Sequence, residues 1–548
     1  MTERNIRSWK DVVAVREAKE LTAAEKELIV CCQEGTVCRL NGGELPSESS
    51  DDCEVKSDLL RFLITGGDEA AGLHDIGVQL MGAYISGVLN LDFAVAHGQT
   101  TMLACYFEEK ISAHVAEFQH LNISRSHLKT GIFAQCAQVS QNVFLRKAKA
   151  DGMIDFRSVE IGGNFEITGA KLTPNAGPAL DAENSSVKKN FSLRSTQLTG
   201  TASLSGSTIG GQLNCEAFDL GLEKDVAASS KTLNLQDVEA GSFFWRGVKR
   251  FEGLLDLNGA IFGDIVDDAE SWDKVTFTFL NQMRYDHLSD PLTYRKRLFW
   301  VAKDSATTGE FRPQPYQQLA KVYREMGHDS ERRLVLLEKE RLTSQQRVTD
   351  NRAQRAELKK SLAKPFEPDP SQPLLGQQLE QHTHVRTLKN QYRRAWLDLV
   401  IMRMWRGFLG ATAGYGYAPQ RVVYWALGAI LFTMCLSAMA METGGIVPNS
   451  DVILVSDLWA NLVATEALPT LVWLDGPIGQ HYESFFALTY AVDVFIPLIP
   501  LEQETAWAPT TATTLGTILW VSNWIVKLMG WIMLGLGAAG MAGVIRRD

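Results

Sequence analysis

A period of 22 residues runs through the first half of this chain and limits its fold more than any other feature. Leu121, Val143 and Phe165 follow one another at that step, and so do Phe191 and Leu213. Each belongs to a short apolar triplet of constant spacing, as in Val139/Val143/Leu145, Ile161/Phe165/Ile167 and Val187/Phe191/Leu193. Ile85/Leu89/Leu91 and Ile209/Leu213/Cys215 extend the series from about Gly77 to Gly263. A weaker half-period of 11 places Ile132/Ala134 and Ile154/Phe156 between them. The step from Phe165 to Phe191 is longer because it holds the loop Pro174–Pro178, and Leu222 to Ser230 lengthens a later one. A fixed period near 20 with alternating apolar positions predicts a parallel β-solenoid, in which each coil stacks its inward Leu, Ile and Phe on the next. The alternative is a β-sandwich, which has no need of equal spacing.

Turn glycines such as Gly87, Gly162–Gly163 and Gly210–Gly211 are expected where the chain bends with positive φ. Outward residues are mostly polar: Asn90, Asp92, Arg146, Glu166, Ser192, Arg194 and Asn214. Such faces either bind partners or stay solvated as spacers. The bulky run Gly241–Arg246 is expected to cap the stack, and Thr22–Glu25 has the form of a helix capping box covering the first coil.

A second feature governs the other half. Between Val422 and Val526 there is no lysine and no arginine, while Arg421 precedes the gap and Lys527, Arg546 and Arg547 follow it. Basic residues stay on the cytoplasmic side of a membrane, so this pattern predicts insertion in the cytoplasmic membrane with both termini cytoplasmic. Val422–Met441 is long enough to span, and Leu528–Ile545 is apolar between Lys527 and Arg546. The apolar character reaches back to Leu515, which puts Lys527 in an interior or snorkelling position. Two further apolar stretches, Leu458–Leu474 and Phe485–Leu501, are broken by Glu466 and Pro469, and by Asp493, Pro497 and Pro500. Each either crosses, giving four spans, or forms half-helices on the outer side, giving two. Nine carboxylates and no lysine or arginine lie here, from Glu442 to Glu504. They either concentrate cations at an outer mouth or only solvate the loops. Glu466, Asp493, Pro497 and Pro500 are the candidate permeation or gating residues. Gly535, Ala539 and Gly543 recur every four residues as a seam for close helix packing.

The fold expected is therefore multi-domain: a helical cap at 1–65, a β-solenoid at 66–265, a helical segment at 266–364, a linker and interfacial amphipathic helix at 365–420, and an α-helical transmembrane domain at 421–548. In the middle, helices around Leu319–Tyr323 and Leu334–Leu337 flank a Gly327–Asp329 turn, and Pro365–Pro373 is a stiff connector. From Val385 onward, Arg393, Arg394, Arg403 and Arg406 interleave with Trp396, Ile401, Met404 and Trp405, as on a helix lying at a membrane surface, the alternative being a helix packed against the solenoid.

The 548-residue chain carries a formal charge of -10, which argues against a nucleic-acid partner. The start shows no apolar signal segment, and the 8 cysteines lack framework spacing, in keeping with a reducing compartment. Neither Cys31/Cys32/Cys38/Cys53 nor His382/His384 has metal-site spacing. Gly535–Gly540 matches G-x-G-x-x-G but lies in an apolar helix with only eight residues after it, and Thr412–Gly416, which is similar to a potassium-channel filter, precedes any crossing. No catalytic, cofactor-binding or metal-binding residue is expected. The expected partners are membrane lipid, a second copy of the chain, and a cytoplasmic protein or small ligand on the solenoid.

Four segments, Phe311–Arg341 (FRPQPYQQLAKVYREMGHDSERRLVLLEKER), Gly414–Trp425 (GYGYAPQRVVYW), Tyr490–Trp507 (YAVDVFIPLIPLEQETAW) and the terminal GVIRRD, carry a resemblance. The chain resembles a family of bacterial membrane proteins with a pentapeptide-like solenoid before a membrane hairpin, some of them called membrane-associated oxidoreductases. The resemblance supplies no catalytic residues, and the strict five-residue pattern is not kept. Three functions follow as expectations: a channel-like protein with a cytoplasmic sensing or assembly module, a membrane-tethered scaffold without permeation, and a membrane-associated oxidoreductase.

Overall fold

The computed structural model describes residues 5–222, 231–289, 292–363, 374–412, 420–496, 498 and 500–541. The chain divides into two compact units, Met1–Val335 and Leu336–Asp548.

The first unit is a parallel β-solenoid of about nine turns. One coil contributes the short strands His120–Asn122, His127–Leu128, Ile132–Phe133 and Gln138–Val139. The next coil pairs with it in register, Leu121 with Val143, Leu128 with Ala150, Ile132 with Ile154 and Val139 with Ile161. Every one of these partners is 22 residues on, which is the sequence period seen as a hydrogen-bond ladder. Where Pro174–Pro178 is inserted, the step lengthens and the register still closes, Phe165 on Phe191. Inward residues such as Leu121, Ile132, Val143 and Phe165 are fully buried, and Phe165 lies 4.6 Å from Phe191 between ring centres.

The half-period of 11 comes from the corners. Cys136, Lys147, Ser158 and Gly169 all have positive φ and are spaced by 11 residues. Each is the third residue of a tight turn; at one of them the Ala148 N–H donates to the Leu145 carbonyl at 3.2 Å. This is the type II geometry, which puts its third residue in the left-handed region. The expected glycines serve a different purpose at two sites. Gly162, Gly163, Gly210 and Gly211 do not have positive φ; a Cβ on Gly162 or Gly210 would run into the carbonyl oxygen of Ser140 or Lys188 in the coil below.

The stack extends past both ends of the visible period. Cys38–Arg39 pairs with Leu80–Met81, and Arg284–Leu288 is the last strand on the other side. At the first coil the capping box forms as expected, and Glu25, fully buried, also accepts the Lys56 N–H at 3.1 Å. At the far end the expected cap is corrected. Glu239–Trp245 is an interior strand with Phe243 and Trp245 buried, because both rings point into the stack. The cap is built instead from Ala269–Lys274 and Tyr294–Thr308. Trp272 stacks on Trp300 with ring centres 4.7 Å apart, and Arg297 pairs with Asp267, both buried. The Trp272 indole N–H donates to the same Asp267 carboxylate.

The second unit begins inside the long helix Asp329–Ala363 and continues through Leu374–Thr412. Arg355 and Tyr392 join these helices through a hydrogen bond of 3.0 Å. Trp396, Leu397, Ile401 and Met404 are exposed along the second of them, whereas Ala395 and Leu399 are buried. Pro365–Pro373, Arg406 and Ala413–Gly416 lie outside the described residues or side chains.

Two outcomes check this architecture. Arg297→Met strands a buried carboxylate, so it should cost about 3–5 kcal/mol in urea unfolding, while Asp267→Leu with Arg297→Met should cost less. Burial pushes the Cys105 and Cys215 thiols up to about 12, whereas Cys136 is exposed. At pH 8 thiolate is therefore nearly absent at the two buried sites. A maleimide should label Cys136 in the folded chain and reach Cys105 and Cys215 only after denaturation, as mass mapping would show.

Candidate site between the two apolar helices

Two of the described helices are long and apolar enough to cross a membrane, and both lie in the lysine- and arginine-free gap or at its edge. The first, Gln420–Glu442, has 23 residues, and the second, Thr514–Met541, has 28. At 1.5 Å per residue these are about 35 and 42 Å long, against a hydrocarbon layer of about 30 Å. Only 11% of the apolar window of the first and 28% of that of the second is buried. Trp425, Leu431, Phe432, Trp524 and Leu528 lie exposed along them.

The intervening chain folds between and beside their ends. Ile446–Pro448 pairs antiparallel with Trp507–Pro509. The stretch Leu458–Leu474 breaks into two short helices, Asp457–Thr465 and Pro469–Asp475, with Pro469 opening the second. Glu466 is the exposed C-cap of the first. Both helices are too short to span. Their Trp459 and Trp473 pack edge to face, followed by Tyr482 and Trp507.

The stretch Phe485–Leu501 contributes the nine-residue helix Ala487–Phe495, which packs on both long helices. The chain then reverses and returns through Gln503–Ala506. This makes a hairpin with two legs. At its open end the Phe486 N–H donates to Gln503 Oε1 at 3.0 Å, and the Trp507 indole N–H donates to the Glu483 carbonyl at 3.0 Å. Near its turn, Asp493 accepts the Leu501 N–H at 2.9 Å on Oδ1 and the Glu504 N–H at 2.8 Å on Oδ2. Asp493 is buried, and both its oxygens hold the returning leg. Pro500 is exposed beside that turn, and Pro497 lies outside the described residues.

The sequence alone offers Lys527 an interior or a snorkelling position in the last apolar run. The structure pairs it with Glu504 of the hairpin. One helical turn earlier, Asn523 Nδ2 donates to the Tyr490 hydroxyl at 2.8 Å. The only sequence signals for these contacts are polar residues four apart in an otherwise apolar helix. The packing seam is placed less fully. A Cβ on Gly535 would meet no atom within 4 Å, the Ala539 side chain is outside the description, and so is Gly543. The two helices also line an apolar groove of about 440 Å³, with Trp425, Gly428, Ala429 and Phe432 from the first and Ile525 and Met529 from the second.

Polar groups on the solenoid surface largely satisfy one another. Arg146 pairs with Glu166, and Glu216 pairs with both Arg194 and Arg246. Asn142, Asn164 and Asn190 form a side-chain ladder up successive coils, and Asp92 accepts from Ser112 and His114. His127 contacts Asp151 at 2.6 Å beside Lys149. A cavity of about 340 Å³ opens at the far cap between Trp272, Phe299 and Arg295. Among the described residues no cluster of three or more His, Cys, Asp or Glu is arranged to hold a metal.

No protein-family model, curated protein or solved structure matches the chain at a significant level. The family resemblance drawn from the sequence gains no support from these comparisons.

Asp493→Ala leaves two backbone N–H groups without their acceptor inside the unit. It should lower stability by about 3 kcal/mol, read as an earlier thermal transition of tryptophan fluorescence in detergent, with Pro500→Ala nearly neutral.

Proposed function

We propose that the chain is an integral protein of a bacterial inner membrane that tethers a cytoplasmic β-solenoid scaffold. The observation that carries this is the pair of long apolar helices whose large side chains, Phe432, Trp524 and Leu528 among them, lie largely exposed. Apolar surface of that extent needs lipid or a partner to cover it. The helix Leu374–Thr412 adds exposed Trp396, Ile401 and Met404 beside Arg393 and Arg394, a pattern suited to the inner membrane surface. With basic residues before the first helix and after the second, both termini face the cytoplasm. The partners are then lipid, a second copy of the chain, and a cytoplasmic protein or small ligand carried on the solenoid.

A scaffold fits the site better than a pore. Asp493 spends both oxygens on backbone N–H groups, Glu504 is paired with Lys527, and Glu466 sits exposed at a helix end. None of the three is a carboxylate held free toward a conduit, as an ion path requires. The channel reading keeps one point in its favour, a reversed hairpin between two candidate spans.

Alkaline carbonate washing of vesicles should leave the intact chain in the pellet, and release into the supernatant would overturn the membrane assignment. Protease added to inside-out vesicles should digest the solenoid and spare it in right-side-out ones. Planar bilayers holding purified protein should stay silent. A conductance changed by Asp493→Asn would shift the assignment to a channel.

A further inference from the structure

We infer that the Lys527–Glu504 ion pair is a lock that seats the hairpin legs Ala487–Phe495 and Gln503–Ala506 against the second apolar helix, an inference that rests on the membrane reading above. The charge pattern isolates this contact. From Val422 to Val526 the chain has nine carboxylates and no lysine or arginine, so Lys527 is the first cation the segment meets. It stands 13 residues after Thr514, about 20 Å along the helix. A lysine at that depth ordinarily runs its flexible stem along the helix to water. Here its ammonium turns to Glu504 instead.

The same helix face grips both legs of the hairpin. Asn523 and Lys527 are four residues apart and so lie one above the other. Asn523 holds the descending leg through Tyr490, and Lys527 holds the returning leg through Glu504. Asp493 ties the two legs together through the Glu504 N–H itself. Glu504 is therefore the shared point: its backbone is held by the hairpin and its carboxylate by the helix. Neutralising either partner removes the helix's hold on the returning leg, so the hairpin, its legs still tied to each other by Asp493, comes away from the helix as one piece. Ala491 and Tyr490, both fully buried while the hairpin is seated, then become reachable from water.

The test uses the full-length chain in vesicles, with its exposed cysteines replaced by serine, Ala491→Cys as reporter and a small polar methanethiosulfonate as probe. In the otherwise unaltered chain the reporter should label slowly. Lys527→Gln and Glu504→Gln should each speed labelling about threefold or more, as suits an ion pair about a third exposed, and Glu504→Lys with Lys527→Glu should return the rate toward the starting value. Unchanged rates in both single variants would overturn the lock. A second reporter, Ala440→Cys, is fully buried in the first helix. If the single variants expose it as fast as Ala491→Cys, the pair supports the whole unit rather than the hairpin, and the lock is again overturned. Carbonate release of the chain would sink the membrane reading alone, since the labelling rates compare seated with unseated hairpin in either setting.

Discussion

The solenoid stands on in-register pairing between consecutive coils. A single coil of 22 residues buries almost nothing by itself; Leu121 is inside only because Val143 lies over it, and Val143 only because Phe165 follows. This makes equal coil length the governing constraint, because a shift of one residue would turn Leu121 out and Asn122 in. Insertions are tolerated only where they loop out and return, as at Pro174–Pro178, after which Leu172 still pairs with Leu198. The two ends are the unstable places, since an open coil presents unpaired N–H and C=O groups to any other strand. Glu25 and the Asp267–Arg297–Trp272 cluster sit at those ends, and each is a buried charge enclosed by hydrogen bonds.

What could be read from the sequence follows from this constraint. The inward positions were legible because burial repeats identically in each coil, so Val143, Phe165 and Phe191 mark the period. The corners were less so. Lys147 and Ser158 carry the left-handed turn without being glycine, since a sharp turn held on both sides by coil-to-coil hydrogen bonds can absorb the roughly 1–2 kcal/mol that such a residue costs. The Lys147 N–H, for example, is fixed by the Thr168 carbonyl. Gly162 looked like a bend and is a close approach. Trp245 looked like a lid because it is bulky, whereas the coil is wide enough there to take Phe243 and Trp245 side by side.

In the second unit, charge and hydropathy disclosed the two long helices, because both signals are sums over many residues. The hairpin was visible only as a break at Asp493, Pro497 and Pro500. Which way the chain went at that break depended on pairwise contacts. Nothing local distinguishes Glu504 from the eight other acids of the segment, and nothing local selects Tyr490 as the partner of Asn523. Those choices are made by helix Ala487–Phe495 packing against both long helices, a tertiary event that leaves no period behind.

The acidic segment also shows how a fold disposes of charge that it cannot neutralise in sequence. Nine carboxylates without a lysine or arginine repel one another, and burying any of them unpaired would be costly. Three have partners in the structure: Asp493 holds backbone N–H groups, Glu504 takes Lys527, and Glu483, though exposed, accepts from the Gln503 amide at 2.7 Å. The other six, Glu442, Asp451, Asp457, Glu466, Asp475 and Glu502, are exposed. Asp451 and Asp457 further sit in the first turns of their helices, where the backbone dipole favours negative charge. The segment thus keeps its acids either at the surface or clasped, and the two clasped most tightly, Asp493 and Glu504, meet on the hairpin that the lone lysine holds in place.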